Sequence, residues 1–465
     1  MKALPSNPAV LDRKIWSKGG LTLALFLSAI PTSFSDDQQL GSGADMSNAP
    51  RVQIDRPKPT FMLSQRDKRV HGLKPFQDLV DKAPAGSVLK PPPGIYSGPV
   101  VINKPLIIDG QNQVTIDAGD KGTVMSLNGG NSALRRIRLT GSGDSHDTDD
   151  SCLDVRGNDN VIENIRADNC LFGLDFKQSN NNRIVGNEIR SKERELGVRG
   201  DGLRLWYSND NLIENNKIID SRDMVAWYSH RNTFRNNLGQ RSRYSIHFMF
   251  ANENIVENNR FYDNAVGVYF MYTEGGTVRN NVISHATGAT GMGIGFKEAS
   301  GTLIENNEII YCGVGIGSDL SPFQPDSSIE IRGNRFAYNG IGIVFNSETG
   351  GNNLRDNIFE GNLTQVSYGG RGDNNNNARN FWEGNYWDDY QGFDRNSDGY
   401  GDVKHDLYAY ADQIWIEMPV ARFFRSSPVM ELLDFLERLA PFSTPDLILR
   451  DEKPRFIKPQ RAALS

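Results

Sequence analysis

Soft metal-ligating side chains crowd into one stretch of this 465-residue chain. It holds six His and ten Met, and seven of these sixteen (Met224, His230, His247, Met249, Met271, His285 and Met292) fall within residues 224–292. Thioether sulfur with imidazole nitrogen is the ligand set that Cu(I) prefers and that Zn2+, Mg2+ and Ca2+ do not. Aligning RLWYS (204–208), VAWYS (225–229), HFMFA (247–251) and YFMYT (269–273) puts Trp206, Trp227, Met249 and Met271 in one column. His247 stands two residues before Met249, on the same face of an extended strand. On neighbouring parallel strands, Met271 would lie about 4.8 Å from Met249. The spacing predicts that His247, Met249 and Met271 converge on one soft ion. Met224, His230, His285 and Met292 form a fallback set, on neighbouring coils or in an insertion loop. The competing expectation turns the Met column into a core, which buries His247 at a cost unless it finds a partner.

Two further clusters carry oxygen ligands. The loop GSGDSHDTDDS gathers Asp144, His146, Asp147, Asp149 and Asp150. Hydrolytic or eliminative sugar chemistry needs carboxylates or a base facing one another across a groove. These acids are sequential and do not recur on adjacent repeats, so a solvated acidic loop is expected. In DRNSDGYGD (394–402), Asp394, Asn396 and Asp398 take positions 1, 3 and 5 of an EF-hand-like loop. Gly399 supplies the turn, the Tyr400 carbonyl falls at position 7 and Asp402 at 9, while His405 stands where the bidentate Glu belongs. Either a Ca2+-stabilised turn or an ordinary Asx-rich loop fits.

The elements that must position these groups are repeats. NVIENIRADN, NRIVGNEIRS, NLIENNKIID, NIVENNRFYDN, TLIENNEIIY and IEIRGNRFAYN share one pattern. Its Asn falls at 164, 187, 216, 237, 259, 281, 307, 334 and 357, with steps of 23, 29, 21, 22, 22, 26, 27 and 23. Asn tolerates left-handed backbone and its amide bonds nearby peptide groups, so it suits a sharp turn and can stack into a ladder. Ile213, Ile218, Val256 and Phe261 alternate inward. A second strand in each repeat carries apolar–Gly–apolar, as in VGVYF, MGIGF, VGIG and IGIVF. Neither a leucine-rich repeat nor a propeller has this period. The expected fold is all-β: a right-handed parallel β-helix over residues 71–390, a pectate-lyase-like solenoid of about 22-residue coils. The 29-residue step holds SKERELGVRGD (191–201), a charged loop pushed out from the stack, and later steps hold HATGATG and SPFQPDSS.

The ends differ from the repeats. Arg13, Lys14 and Lys18 precede an apolar run, Leu21 to Ile30, and small residues Ser33 and Ser35, which predicts an export signal over 1–35. Residues 36–70 are polar and aperiodic, a linker. The 391–411 segment holds the calcium-loop-like turn, and 412–465 form a docking or capping tail with a short helix opened by Pro428. Phe423, Phe424, Leu432, Leu433, Phe435 and Leu436 make that tail the densest apolar cluster outside the repeats. Net charge −6 and pI near 5.7 leave no basic excess to neutralise phosphates, so no nucleic-acid partner is expected. Cys152, Cys170 and Cys312 are odd in number and lack a CxxC pair. Buried, inert thiols are expected, with a Cys152–Cys170 pairing left open.

DGLRLWYSNDN, SRDMVAWYSHRNT, YSIHFMF, AVGVYFMYT and GNYWDDYQGFDRNSDGYGD closely resemble the coils and C-terminal signature of the NosD family. PVARFFRSSPVMELLDFLERLAPF followed by DEKP resembles that family's tail, so the likeness covers residues 76–455. The sequence departs from the pattern at 144–151 and around Lys404–Tyr410. The resemblance implies a periplasmic, non-catalytic assembly factor that handles copper, as transient Cu(I), for the copper–sulfide centre of nitrous oxide reductase. It also implies an ABC transporter permease and its ATPase as partners, and exchange with a lipoprotein copper chaperone. The contrasting function for a β-helix is a carbohydrate-active enzyme, a lyase or epimerase of uronate polymers.

Overall fold

Alternation of apolar and polar residues in short runs, punctuated by Asn and Gly, winds the chain into stacked coils. The computed structural model describes residues 70, 72–288, 290–346, 350–368, 380–409, 436 and 446–460. The expected export signal, nearly all of the expected linker, and Phe423, Phe424, Leu432, Leu433 and Phe435 lie outside the described residues. Leu436 is described and exposed.

A two-residue strand, Lys74–Pro75, and a six-residue helix, Gln77–Lys82, precede the first coil. Phe76 and Val80 bury against the first coil, with the Phe76 ring edge-on to Tyr96 at 5.3 Å. The coils then stack as a right-handed parallel β-helix. One sheet has 12 strands in unbroken chain order, from Val100–Ile102 to Thr364–Tyr368. The other two strands of each coil join into a 25-stranded sheet, again pairing coil to coil in parallel. Inward positions of the 12-stranded sheet form one column: Phe176, Leu205, Ala226, Phe248, Phe270 and Phe296, each at most 1% exposed. Phe248, Phe270 and Phe296 stack face to face at 5.0 and 5.4 Å.

At one corner the Asn ladder runs through Asn187, Asn216, Asn237, Asn259, Asn281, Asn307, Asn334, Asn357 and Asn385. The backbone N–H and the side-chain amide of each donate to the next Oδ1 at 2.8–3.1 Å. Each amide also donates to a carbonyl on the coil before, as Asn259 does to Phe234 O at 2.9 Å. The expected dual role of one Asn is corrected here. The left-handed turn belongs to the residue just before each rung: Asn215, Asn236, Asn258, Asn280 and Asn306, with φ of 56–57°. Asn164 occupies that turn position (φ 53°), and the rung beside it is Ile165, whose N–H reaches Asn187 Oδ1. A rung needs an ordinary extended backbone to point its amide along the stack, so one residue cannot also make the turn.

The C-terminal strand Asp446–Asp451 pairs antiparallel with His405–Ala409 and buries Ile448 and Leu449 in the core. Asp451, fully buried, ends the ladder. Its carboxylate accepts from Asn385 N–H and Nδ2 at 3.0 Å each, Trp387 Nε1 at 3.2 Å and Gly384 N–H at 3.2 Å. The expectation of three thiols is also corrected: Cys152 and Cys170, on strands of adjacent sheets, form a disulfide. Cys312 keeps a buried thiol whose pKa burial pushes up to about 12.

Candidate metal centre on the outward sheet face

The column that precedes each corner of the 12-stranded sheet points outward. Register pairs Trp206 with Trp227, Trp227 with Met249, and Met249 with Met271. All four side chains are half-buried, while their inward neighbours Phe248 and Phe270 are closed off. The Met column therefore does not face the core. His247 shares the outward face, two residues before Met249, and pairs in register with Tyr269.

His247 is nevertheless only 9% exposed. Tyr244 leans over it at 4.9 Å between ring centroids, and Tyr269 meets it edge-on at 6.0 Å. Burial, seconded by the Arg243 charge, pulls its pKa down to about 4, so the ring is neutral near pH 7. Its Nε2 is buried with no hydrogen-bond partner. Such an atom costs about 1–3 kcal/mol unless something binds it. Beside it, Arg222 pairs with Asp201 and Arg243 with Asp223. Burial and the Asp223 charge push the Asp201 carboxyl up, and burial raises the Tyr269 hydroxyl to about 12. The donors facing outward here are an unpaired imidazole and two thioethers, which suit a soft monovalent ion. Among the described residues, no three His, Cys, Asp or Glu are arranged to hold a metal.

The fallback residues do not converge. Met224 is in the core at 0% exposure. His230 is a rung of an outer polar ladder: its N–H donates to Asn209 Oδ1 at 2.7 Å and its Nδ1 accepts from Asn252 N–H at 3.0 Å. His285 lies at a different corner, stacked on Tyr311 at 5.2 Å with Nδ1 3.1 Å from Ser284 Oγ. Met292 folds over Gly295 and Gly317, where a Cβ on Gly295 would overlap both its sulfur and the Tyr269 ring.

Two features went unnoticed in the sequence. Trp227 Nε1 is buried without an acceptor. Tyr207, Tyr228, Phe250 and Tyr272 form an outer stack at 4.8, 5.1 and 4.9 Å, along the edge of the Trp–Met column. Its signal was the aromatic residue after each column position in WYS, WYS, MFA and MYT.

The acidic loop is not merely solvated, which corrects that expectation. Asp144 pairs with Lys192 and Arg194, and Asp149 with Lys177 and Arg204. These cations hold both carboxyls below their ordinary range despite opposing burial. Asp150 is buried, accepting from Ser145 N–H and Thr148 Oγ1, and His146 rests edge-on to Phe172. The SKERELGVRGD loop likewise tucks one charge inward: Lys192, 6% exposed, donates to Ser142 O at 2.6 Å. In the 394–402 turn, Asp394 accepts from Asp398 and Gly399 N–H at 3.2 and 2.9 Å, and Asp402 from Arg395 N–H at 2.8 Å. Asp398 accepts from Tyr400 N–H and Asn396 Nδ2 at 2.8 and 3.2 Å. His405 is stacked on Trp387 at 5.0 Å and stands apart from that turn's oxygens.

Residues 190–392 match the family described as periplasmic copper-binding protein (NosD), and residues 126–238 match the right handed beta helix region. A probable ABC transporter binding protein NosD of Pseudomonas aeruginosa is 38% identical over 112 residues, 24% of this chain and 26% of that protein. Its namesake in Stutzerimonas stutzeri is 32% identical over 115 residues, 24% of this chain and 25% of that one. The matched stretch thus spans about a quarter of each relative. Among solved structures, the A-module of mannuronan C-5 epimerase AlgE6 of Azotobacter vinelandii is 17% identical, with a TM-score of 0.47 over 64% of this chain and 90% of that one. The periplasmic alginate epimerase AlgG is 16% identical, with a TM-score of 0.37 over 64% of this chain and 71% of that one. No helix of the described residues is long and apolar enough to cross a membrane. The stretch that resembles the NosD family, residues 190–392, holds the strands of His247, Met249 and Met271.

Proposed function

We propose that this chain is a non-catalytic, exported copper-handling assembly factor of the periplasm that carries Cu(I) as cargo on His247, Met249 and Met271. It works with an ABC transporter permease and its ATPase to mature the copper–sulfide centre of nitrous oxide reductase, and exchanges the ion with a lipoprotein copper chaperone. The observation that carries this is the buried, neutral His247 imidazole with an unpartnered Nε2 on the face that presents both thioethers. The family's description as copper-binding and its relatives' naming for an ABC transporter support the cargo and the partner. A carbohydrate-active role would need groove carboxyls free to take and give protons, and Asp144 and Asp149 are held ionised by their cations. Calcium serves as a stabiliser of the 394–402 turn, with Asp394, Asn396, Asp398, Tyr400 O and Asp402 as oxygen donors.

Cells expressing His247→Ala with Met249→Leu should produce nitrous oxide reductase lacking its catalytic copper cluster. A fully metallated reductase would overturn the proposal. The apolar tail residues Phe423, Phe424, Leu432, Leu433, Phe435 and Leu436 are the proposed contact with the permease. Truncation after 411 is a poor test, because Ile448, Leu449 and Asp451 close the last coil. Replacing the six by Ser and Gln should instead leave a folded solenoid that no longer co-purifies with the permease. Retained co-purification would place docking elsewhere.

A further inference from the structure

We propose that Trp227 forms a fourth wall of the copper site, its indole face lying against the ion held by His247, Met249 and Met271. This rests on the copper role of those three residues and adds the group that shields the ion. Register sets Trp227 beside Met249 on the coil before, as Met271 is beside it on the coil after. His247 is one step along the same outward face, diagonal to both. Trp227 is half-buried, and its buried Nε1–H has no acceptor, so no hydrogen bond accounts for a Trp in this place. Trp206 braces its ring from the side away from Met249, edge-on at 5.2 Å and 70°.

An indole face attracts a cation within about 6 Å of its ring centroid, more strongly than Tyr or Phe. Cu(I) bound by one neutral imidazole and two thioethers keeps its full positive charge, so a π face beside it is attractive. That face adds no lone pair, so it keeps water off the ion without adding a bond that must break when cargo is handed on. Val225, small and apolar, is in register with His247 on the same coil as Trp227, leaving the indole as the large group on that side.

The full chain can be titrated anaerobically with Cu(I) delivered from a bathocuproine disulfonate complex, following indole emission and near-UV difference spectra. Ag(I), a closed-shell surrogate, allows the indole N–H resonances to be followed in parallel. Binding to the wild type should quench part of the emission and shift one indole resonance strongly. Trp227→Phe should weaken that response and Trp227→Leu abolish it, with Cu(I) affinity about tenfold lower; Trp206→Leu should retain it. If the wild type binds Cu(I) with no indole response, or the response survives in Trp227→Leu, the Trp227 wall is overturned and the His–Met–Met site stands. If the wild type binds neither ion, the copper site falls and the wall with it. The Ag(I) spectrum of the wild type needs no variant, so a poorly folding Trp227→Leu does not leave the proposal unanswered.

Discussion

The Asn corner and the outward Trp–Met face lie on the same coils and obey opposite rules. At the corner every buried amide finds two or more partners, and the stack ends only when Asp451 receives the last rung. On the outward face His247 Nε2 and Trp227 Nε1 are buried and unpaired. The coil stack could have satisfied them with polar rungs, as it does a few residues away with His230. The saturated amides of the corner build the scaffold; the two unsaturated groups on the outward face lie where an ion could complete the chemistry.

That contrast can be broken most violently at the ladder. Asn259→Leu removes the bonds to Phe234 O and Asn281 and strands the Asn237 amide, at about 1 kcal/mol for each of four bonds. Denaturant melts should show a loss of about 4 kcal/mol, and a loss below about 1 kcal/mol would deny the ladder its structural role. Asp451→Ala should cost about 3 kcal/mol, since Asn385, Trp387 and Gly384 keep their buried donors without an acceptor.

On the outward face the signs reverse. The folded His247 ring protonates only near pH 4, whereas in the unfolded chain it protonates near 6.5. As pH falls from 6.5 to 4 the unfolded state takes the extra proton first. The folded state therefore loses up to about 3 kcal/mol over that window, and no more below it. His247→Phe should remove this slope and raise stability at neutral pH by about 1 kcal/mol, because it deletes an unpaired buried nitrogen. A destabilised variant with the acid slope intact would place His247 with the scaffold instead. The smallest effect is expected at the 394–402 turn. Asp394→Ala and Asp398→Ala should lower the melting temperature only with Ca2+ present, and identical melts with Ca2+ and with chelator would remove calcium from the account.

Much of this was legible in the residues. Recurrent Asn fixed the coil period, and the WYS, WYS, HFM and YFM alignment put Trp206, Trp227, Met249 and Met271 in their true column. Alternation failed where a strand slips. Between the Asp223 and Val225 partners the register shifts, so Tyr244 and His247 both face outward with two residues between them. Period-two reasoning cannot see such a bulge. The Asp451 cap and the Cys152–Cys170 bond were hidden for another reason: each joins positions whose proximity is set by stacking order, which no local pattern encodes.

The most direct test is a competition titration of the full chain with Cu(I) at pH 7.5 and pH 5.5, wild type beside His247→Ala/Met249→Leu. Met→Leu conserves volume at under about 1.5 kcal/mol, so the double variant should remain folded. The account predicts Cu(I) binding that excludes Zn2+ and is nearly unchanged between the two pH values, because His247 is neutral at both. An ordinary histidine would lose about tenfold at the lower pH. The double variant should bind no Cu(I). Wild-type affinity in that variant, or no Cu(I) binding by the wild type, would contradict the account.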